Sequence, residues 1–184
     1  EISGEVYVPR SSALSTDVKY GTVTLEEMAG SVDLFGVSNS LTLRKCSSVR
    51  RVENDYGTTR IDGCGGALQL KGSSSKVNVS DFSGSVEIDA DYSTVSVLRA
   101  TGDVTVTDQS GKITVYDVGG AATLDANYSV ITLTHVKGAV GIRSSSGTLR
   151  LRDVGAADVQ SDYSTIEITG VTGAGGKRLA VRSQ

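Results

Sequence analysis

A single spacing dominates this chain. Tyr20, Tyr56, Tyr92, Tyr128 and Tyr163 follow one another at intervals of 36, 36, 36 and 35 residues, and Ser38, Ser74, Ser110 and Ser146 stand halfway between them. The repeating unit is therefore 18 residues long and ends in a residue that alternates between Tyr and Ser. Written in lines of 18 from Gly21, the third and fifth places hold Val23 and Leu25, Leu41 and Leu43, Thr59 and Ile61, Val77 and Val79, and so on to Ile166 and Ile168. The twelfth and fourteenth places hold Val32 and Leu34, Leu68 and Leu70, Val86 and Ile88, Val104 and Val106. The eighth place reads Met28, Cys46, Cys64, Phe82, Ala100 and Val118, continuing in valines to Val171 after a one-residue deletion. The tenth is glycine at 30, 66, 84, 102, 120 and 138.

Within each line apolar and polar residues alternate with a period of two, and the apolar ones are mostly β-branched, which is the pattern of short strands. No window has the three- and four-residue spacing of an amphipathic helix. Each unit reads as two clear strands and a weaker third near place eight. A unit this small has no core of its own. Stacked on copies of itself it forms a continuous one, the arrangement of a solenoid. The expected fold is all-β: a single-domain parallel β-helix over residues 1–184, with roughly triangular coils of about 18 residues. It is right-handed if the crossover rule extends to it. Residues 1–20 form an irregular N-terminal cap or first coil, 21–171 the regular coils, and 172–184 the C-terminal end. At about 4.8 Å per coil, nine or ten coils make a rod on the order of 45 Å long.

Stacking places like residues over like, so the columns carry the functional reading. The Tyr/Ser alternation has two explanations. Rings in every coil would crowd at ~4.8 Å, and alternation gives each the space of two coils; or the tyrosines form an exposed ladder at ~9.6 Å that binds a flat or sugar-like ligand. The tenth-place glycines mark a corner that needs a positive φ or tolerates no Cβ. Cys46 and Cys64 are 18 residues apart and stack directly. They either form a disulfide, implying an oxidising compartment, or act as two small buried apolar residues. Arg50 falls where an inward Val is expected, just after Val49, which predicts a local bulge. The segment from Val8 to Val18, with Pro9, departs from the frame, whereas Val6 and Val8 still alternate inward. The last line has Gly175, Lys177 and Arg178 where apolar residues belong. With no amphipathic helix at either end to act as a lid, end-to-end association is a second expectation.

Composition narrows the function classes. The net charge is −3, from 18 basic and 21 acidic side chains, with no basic footprint for nucleic acid. No apolar run approaches the ~20 residues of a membrane helix, so this segment is not expected to insert in a membrane. The single histidine, His135, falls at an outward place between Asp117 and Asp153 in the stack, a surface charge ladder rather than a catalytic group. Outward carboxylates are spread over different faces, and the glycines of Gly63-Cys64-Gly65-Gly66 and Gly173-Ala174-Gly175-Gly176 precede no helix, so they are turn glycines and not a nucleotide fingerprint. Two cysteines without a neighbouring histidine make a poor metal site. The expectation is a protein that is not an enzyme and has no cofactor.

The lines Ser83-Gly84-Ser85-Val86-Glu87-Ile88, Asp91-Tyr92-Ser93-Thr94-Val95-Ser96-Val97 and Ser145-Ser146-Gly147-Thr148-Leu149-Arg150-Leu151 resemble the bacterial adhesin-type β-helix domains, a family of unknown function that repeats Ser-Gly-x-Val-x-Val units. The resemblance runs from about Gly21 to Val171. It implies a right-handed β-helix on an exported or membrane-tethered envelope protein, outside the cytoplasm in the periplasm or at the cell surface, whose faces meet a protein or glycan partner. A more distant likeness is to the bactofilins, cytoskeletal polymers also built from 18-residue coils, which implies a self-assembling filament or scaffold. Neither family supplies functional residues to carry over.

Overall fold

A computed structural model describes residues 9–171 and 179–182. Eighteen strands, from Leu14–Lys19 to Leu179–Arg182, make up the fold, and no helix occurs among the described residues. Every strand pairing is parallel, and each joins residues one coil apart. Val77 lies beside Val95 and Val95 beside Ile113, so residues 18 apart are vertical neighbours. The chain is a parallel β-solenoid of about nine coils.

Each coil has two long sides and one short one. The first side carries strands such as Thr22–Glu26, Ser40–Arg44 and Thr58–Asp62. The second carries Ser31–Val37, Ser48–Asp55 and Gly65–Lys71. The short side is the expected third strand reduced to its minimum. Its inward residue is the eighth of the unit, and the next N–H donates to the preceding coil: Ser83 N to Cys64 O at 2.8 Å, Thr101 N to Phe82 O at 3.0 Å, Gly119 N to Ala100 O at 2.9 Å. Alternate residues of both long sides, together with this column, fill an apolar core. Phe82, Leu124, Ile113, Ile131 and Leu133 are among its largest fully buried side chains.

The corners differ from the expectation in an instructive way. Positive φ falls mainly at places seven and 18, on residues that are mostly not glycine: Glu27, Lys45, Asp81, Arg99, Asp117, His135 and Asp153 at one corner, Tyr and Ser at the other. At Gly63, on the first of these corners, an added Cβ would meet nothing nearer than Lys45 Cγ at 3.9 Å, so a side chain there bears chiefly the intrinsic left-handed penalty. Among the tenth-place glycines, only Gly66 and Gly84 have positive φ. The others are required by proximity: a Cβ on Gly102 would sit 2.5 Å from Gly84 O, in the backbone of the coil beneath.

The irregular points also resolve. Arg50 is the extra residue of a bulge, with the register shifting between Val32 and Asp33 opposite it. The regular frame starts earlier than the Val8 to Val18 segment implied, because Leu14 pairs with Val32 and Thr16 with Leu34 at the full 18-residue offset. Before it, Ser12 N closes a turn onto Pro9 O at 2.9 Å. At the far end the apolar alternation is displaced rather than lost. Leu179 pairs with Ala157 and Val181 with Val159, 22 residues apart instead of 18, so four added residues precede this strand. The Val6 and Val8 reading, the glycines at 173, 175 and 176, and Lys177 and Arg178 lie outside the described residues.

Candidate functional site

The tyrosine column is an exposed edge. Tyr20, Tyr56, Tyr92, Tyr128 and Tyr163 all stand at the corner between the second side of one coil and the first side of the next, with φ between 51° and 57°. Their exposures run from 65% to 87%. Crowding relief therefore does not bury these rings; they stand in solvent, spaced by two coils at ~9.6 Å, with Ser38, Ser74 and Ser110 in the same backbone conformation between them.

Local sequence fixes this unusual turn. The corner N–H donates to the next coil: Tyr56 N to Ser73 O and Tyr92 N to Gln109 O, both at 2.9 Å. The residue after the ring is often serine, and its hydroxyl donates back across the turn. Ser93 Oγ bonds Asp91 O at 2.8 Å, Ser129 Oγ bonds Asn127 O at 2.9 Å, and Ser164 Oγ bonds Asp162 O at 3.2 Å. The residue before the ring ties the coil above: Asp55 Oδ1 accepts from Ser73 N at 2.8 Å, and Asn127 Oδ1 from Ser145 N at 3.1 Å. The run Asp/Asn-Tyr-Ser, present at Tyr92, Tyr128 and Tyr163, is thus a three-residue clamp that sets the base of these rings on a rigid support.

Beneath the edge the solenoid wall is polar inside. Asn39 and Asn54 exchange bonds, Asn54 Oδ1 accepting from Asn39 N at 3.2 Å and Asn54 Nδ2 donating to Asn39 O at 3.1 Å. Ser75 N donates to Ser93 Oγ at 3.0 Å. Asp108 sits in the same corner, 1% exposed. Its Oδ2 accepts from Ser129 Oγ at 3.4 Å, and its Oδ1 has no partner. Burial pushes this carboxyl up to about 6, opposed by bonds from the Ser93 backbone and Ser129 and reinforced by the nearby Asp91 charge. This inner polar column was missed in the sequence reading. Its signal was present, since from Gly36 onward the residues flanking each Tyr/Ser corner on the inner side are Gly, Ser, Asn, Ala or Asp, with Val18 the one apolar exception before them.

The other candidates occupy separate places. Cys46 and Cys64 are buried free thiols, one above the other, with Cys46 N donating to Cys64 Sγ at 3.2 Å. The Cys46 side-chain bond, followed by burial, holds the Cys64 thiol protonated well above its ordinary range. His135 pairs Nε2 to Asp153 Oδ2 at 3.3 Å, and its ring meets Tyr116 edge-on with centroids 5.3 Å apart. In the same outward column Arg99 grips Asp81 with both ends of its guanidinium, Nη2 to Oδ2 at 2.6 Å, which lowers the Asp81 carboxyl. These are ladder pairs between coils, far from the tyrosines in the 18-residue frame.

A shallow groove of about 630 Å³ lies on the outer wall of the second side, beside the Arg50 bulge. Its charged lining is already engaged. Arg50 is paired with Asp33. Arg51 pairs with Glu53 and lies over the Phe35 ring, 5.5 Å from its centroid. Gln69 Nε2 donates to Glu87 Oε2 at 3.3 Å, and Asp103 Oδ1 accepts from Ala121 N at 2.8 Å, a bond that holds the next coil. Among the described residues no group of three His, Cys, Asp or Glu side chains could hold a metal, and no helix is long and apolar enough to cross a membrane. No family model, no curated protein and no solved structure matches this chain.

Proposed function

We propose that the chain is a non-catalytic binding module of a bacterial envelope protein, a rigid rod that presents its tyrosine edge to an extended partner outside the cytoplasm. One observation carries this reading. A bulky residue in the left-handed region costs about 1–2 kcal/mol, and glycine or asparagine would fill the same turn more cheaply. The other corner uses glycine or the short aspartate at Gly63, Gly170, Asp81, Asp117 and Asp153, and where it holds Glu27, Arg99 and His135 the side chain gains an ion pair. At the tyrosine corner the chain places a large ring five times in that conformation, with most of each ring in water. Neither backbone preference nor burial accounts for the choice, and strain without structural return points toward a role for the exposed ring. The envelope setting rests on the resemblance to the adhesin-type domains.

The test compares the native chain with a Tyr56→Ser, Tyr92→Ser, Tyr128→Ser variant on a glycan array and on whole bacterial cells. Attachment by the native rod and its loss in the variant is the expected result. Equal attachment by both would remove the tyrosine edge from the function.

A second reading, head-to-tail assembly into a filament, draws on the terminal coils. Leu14, Val23 and Leu25 at one end, and Ile166, Ile168 and Val171 at the other, are only partly buried. Such contacts are heterologous and non-closing, so they would extend indefinitely. Light scattering over a wide concentration range that finds only monomer excludes it.

A further inference from the structure

Resting on the tyrosine edge as the binding edge, we infer that its ligand is an uncharged, extended β-1,4-linked polysaccharide. Three features of the edge converge on that class. The first is the period. An extended β-1,4 chain turns each ring over relative to the last, so the same sugar face returns only at every second unit, and that two-sugar repeat is close in length to two coils of the solenoid. The rings of Tyr56, Tyr92 and Tyr128, two coils or ~9.6 Å apart, are therefore spaced to meet the apolar face of every second sugar.

The second feature is the alternation. The sugar between two stacked ones presents its other face, and opposite it stands a serine, Ser74 or Ser110, whose small hydroxyl leaves room and offers a donor and an acceptor. A column of tyrosine in every coil would leave no such place. The third is the flanking chemistry. Ahead of the rings stand Lys19, Asp55, Asp91, Asn127 and Asp162; behind them the outward residues of the first side are chiefly hydroxyls, Thr58, Thr94 and Thr148, interrupted by Lys76, Lys112 and Val130. Between Tyr56 and Tyr128 the carboxylates of Asp55 and Asp91 are matched by Lys76 and Lys112, so the edge carries no net charge to select a charged chain, and its hydroxyls suit a neutral sugar chain. The clamps at the Tyr92 and Tyr128 turns hold the ring bases in place before the ligand arrives, which lowers the ordering cost of binding. An α-1,4-linked chain curls and cannot lay successive rings along a straight edge.

Isothermal titration with cellohexaose, N-acetyl-chitohexaose and maltohexaose tests the inference, together with the matching tetramers and pentamers. At least one β-1,4 hexamer is expected to bind and maltohexaose not to bind. Affinity should rise from tetramer to pentamer, whose first, third and fifth sugars reach a third ring, while the hexamer stays near the pentamer. Tyr92→Ser should weaken binding roughly tenfold, with an unchanged melt, because serine already occupies this turn in the coils above and below. Equal binding of maltohexaose, or no binding of either β-1,4 hexamer, overturns the inference. If the hexamers fail while the triple serine variant still loses attachment to cells or to the array, the edge remains the binding edge and only the ligand class falls. If that variant keeps all attachment, both fall.

Discussion

Replacing Asp108 should make the protein more stable at neutral pH. The carboxyl is 1% exposed, one of its oxygens has no partner, and burial raises it from 3.8 to about 6. A carboxyl with a raised folded value binds its proton more tightly in the native state than in the unfolded one. Below pH 4 the group is protonated in both states and imposes no charge penalty. As the pH rises from about 4 through 6 the unfolded chain releases the proton first, and stability falls until the native carboxyl also ionises. A gap of about two units corresponds to about 3 kcal/mol lost between pH 4 and pH 7. Ala90 and Ala126 occupy the same corner in the coils directly below and above, and Asn54 occupies it farther down the stack. Asp108→Ala therefore continues an existing alanine column, and Asp108→Asn keeps the shape. Urea unfolding followed by circular dichroism at half-unit steps from pH 4 to pH 8 measures the effect. The native chain should lose most of that 3 kcal/mol across the window, and both variants should flatten the profile. Their gain at pH 8 should be about 1–3 kcal/mol, the lower figure allowing for the lost Ser129 bond. A native profile as flat as the variants', or an Asp108→Ala protein weaker at pH 8 than the native one, would refute the reasoning.

Two glycines give opposite outcomes. Gly102→Ala drives a Cβ into the Gly84 backbone and should cost about 1–3 kcal/mol in chemical unfolding, whereas Gly141, in an ordinary strand conformation with nothing within 4 Å of the added carbon, should gain about 0.4–1 kcal/mol as alanine. Cys46 and Cys64, 1% and 2% exposed, should both resist iodoacetamide at pH 8 in the native state and both react in urea, as read by mass spectrometry. Tyr92→Gly relieves a left-handed turn but loosens the unfolded chain by a similar amount, so its melting free energy should stay within about 1 kcal/mol of the native value.

The stack was legible because it is written in apolar columns, and a column read every 18 residues maps directly onto parallel register. Val77, Val95 and Ile113 are neighbours for the same reason that they are recognisable in the sequence. The Arg50 bulge was legible too, since an extra residue disturbs a strict alternation visibly. The corners were harder. Positive φ is usually sought at glycine, so attention falls on the tenth place, while the structure turns at Glu27, Lys45, Arg99 and the tyrosines. Sequence carries no direct mark for that choice, because what permits it is outward geometry together with hydrogen bonds from the coil above. The direction of the rings had the same origin. A tyrosine at the end of a strand faces in or out according to the turn it sits in, and each turn is held by its own bonds, from Ser93 beside Tyr92, Ser129 beside Tyr128 and Asp55 beside Tyr56. The C-terminal strand was obscured by four added residues, which move Leu179 and Val181 out of the frame without removing them from the stack.

A solenoid wall of this kind offers three sorts of surface, and they are not equally informative. The flat faces carry Thr, Ser and paired charges, which is what exposed strand positions hold when nothing acts on them. The groove by the bulge is lined with side chains that already satisfy one another, Arg50 with Asp33 and Gln69 with Glu87, so a ligand there would have to displace existing bonds. The tyrosine corner alone combines a costly backbone, an apolar ring left in water and a recurrence every second coil. Each property by itself has a bland account: left-handed corners recur in this fold, single exposed aromatics are common, and any column repeats in a repeat protein. Their coincidence at five positions does not, because relieving crowding requires only that alternate residues be small and sets no requirement that the others be large. Serine at every corner would build the same turn, as Ser38, Ser74 and Ser110 demonstrate within this chain. The rings are therefore additions to a fold that closes without them, and what they add is a line of evenly spaced apolar plates on a rigid edge.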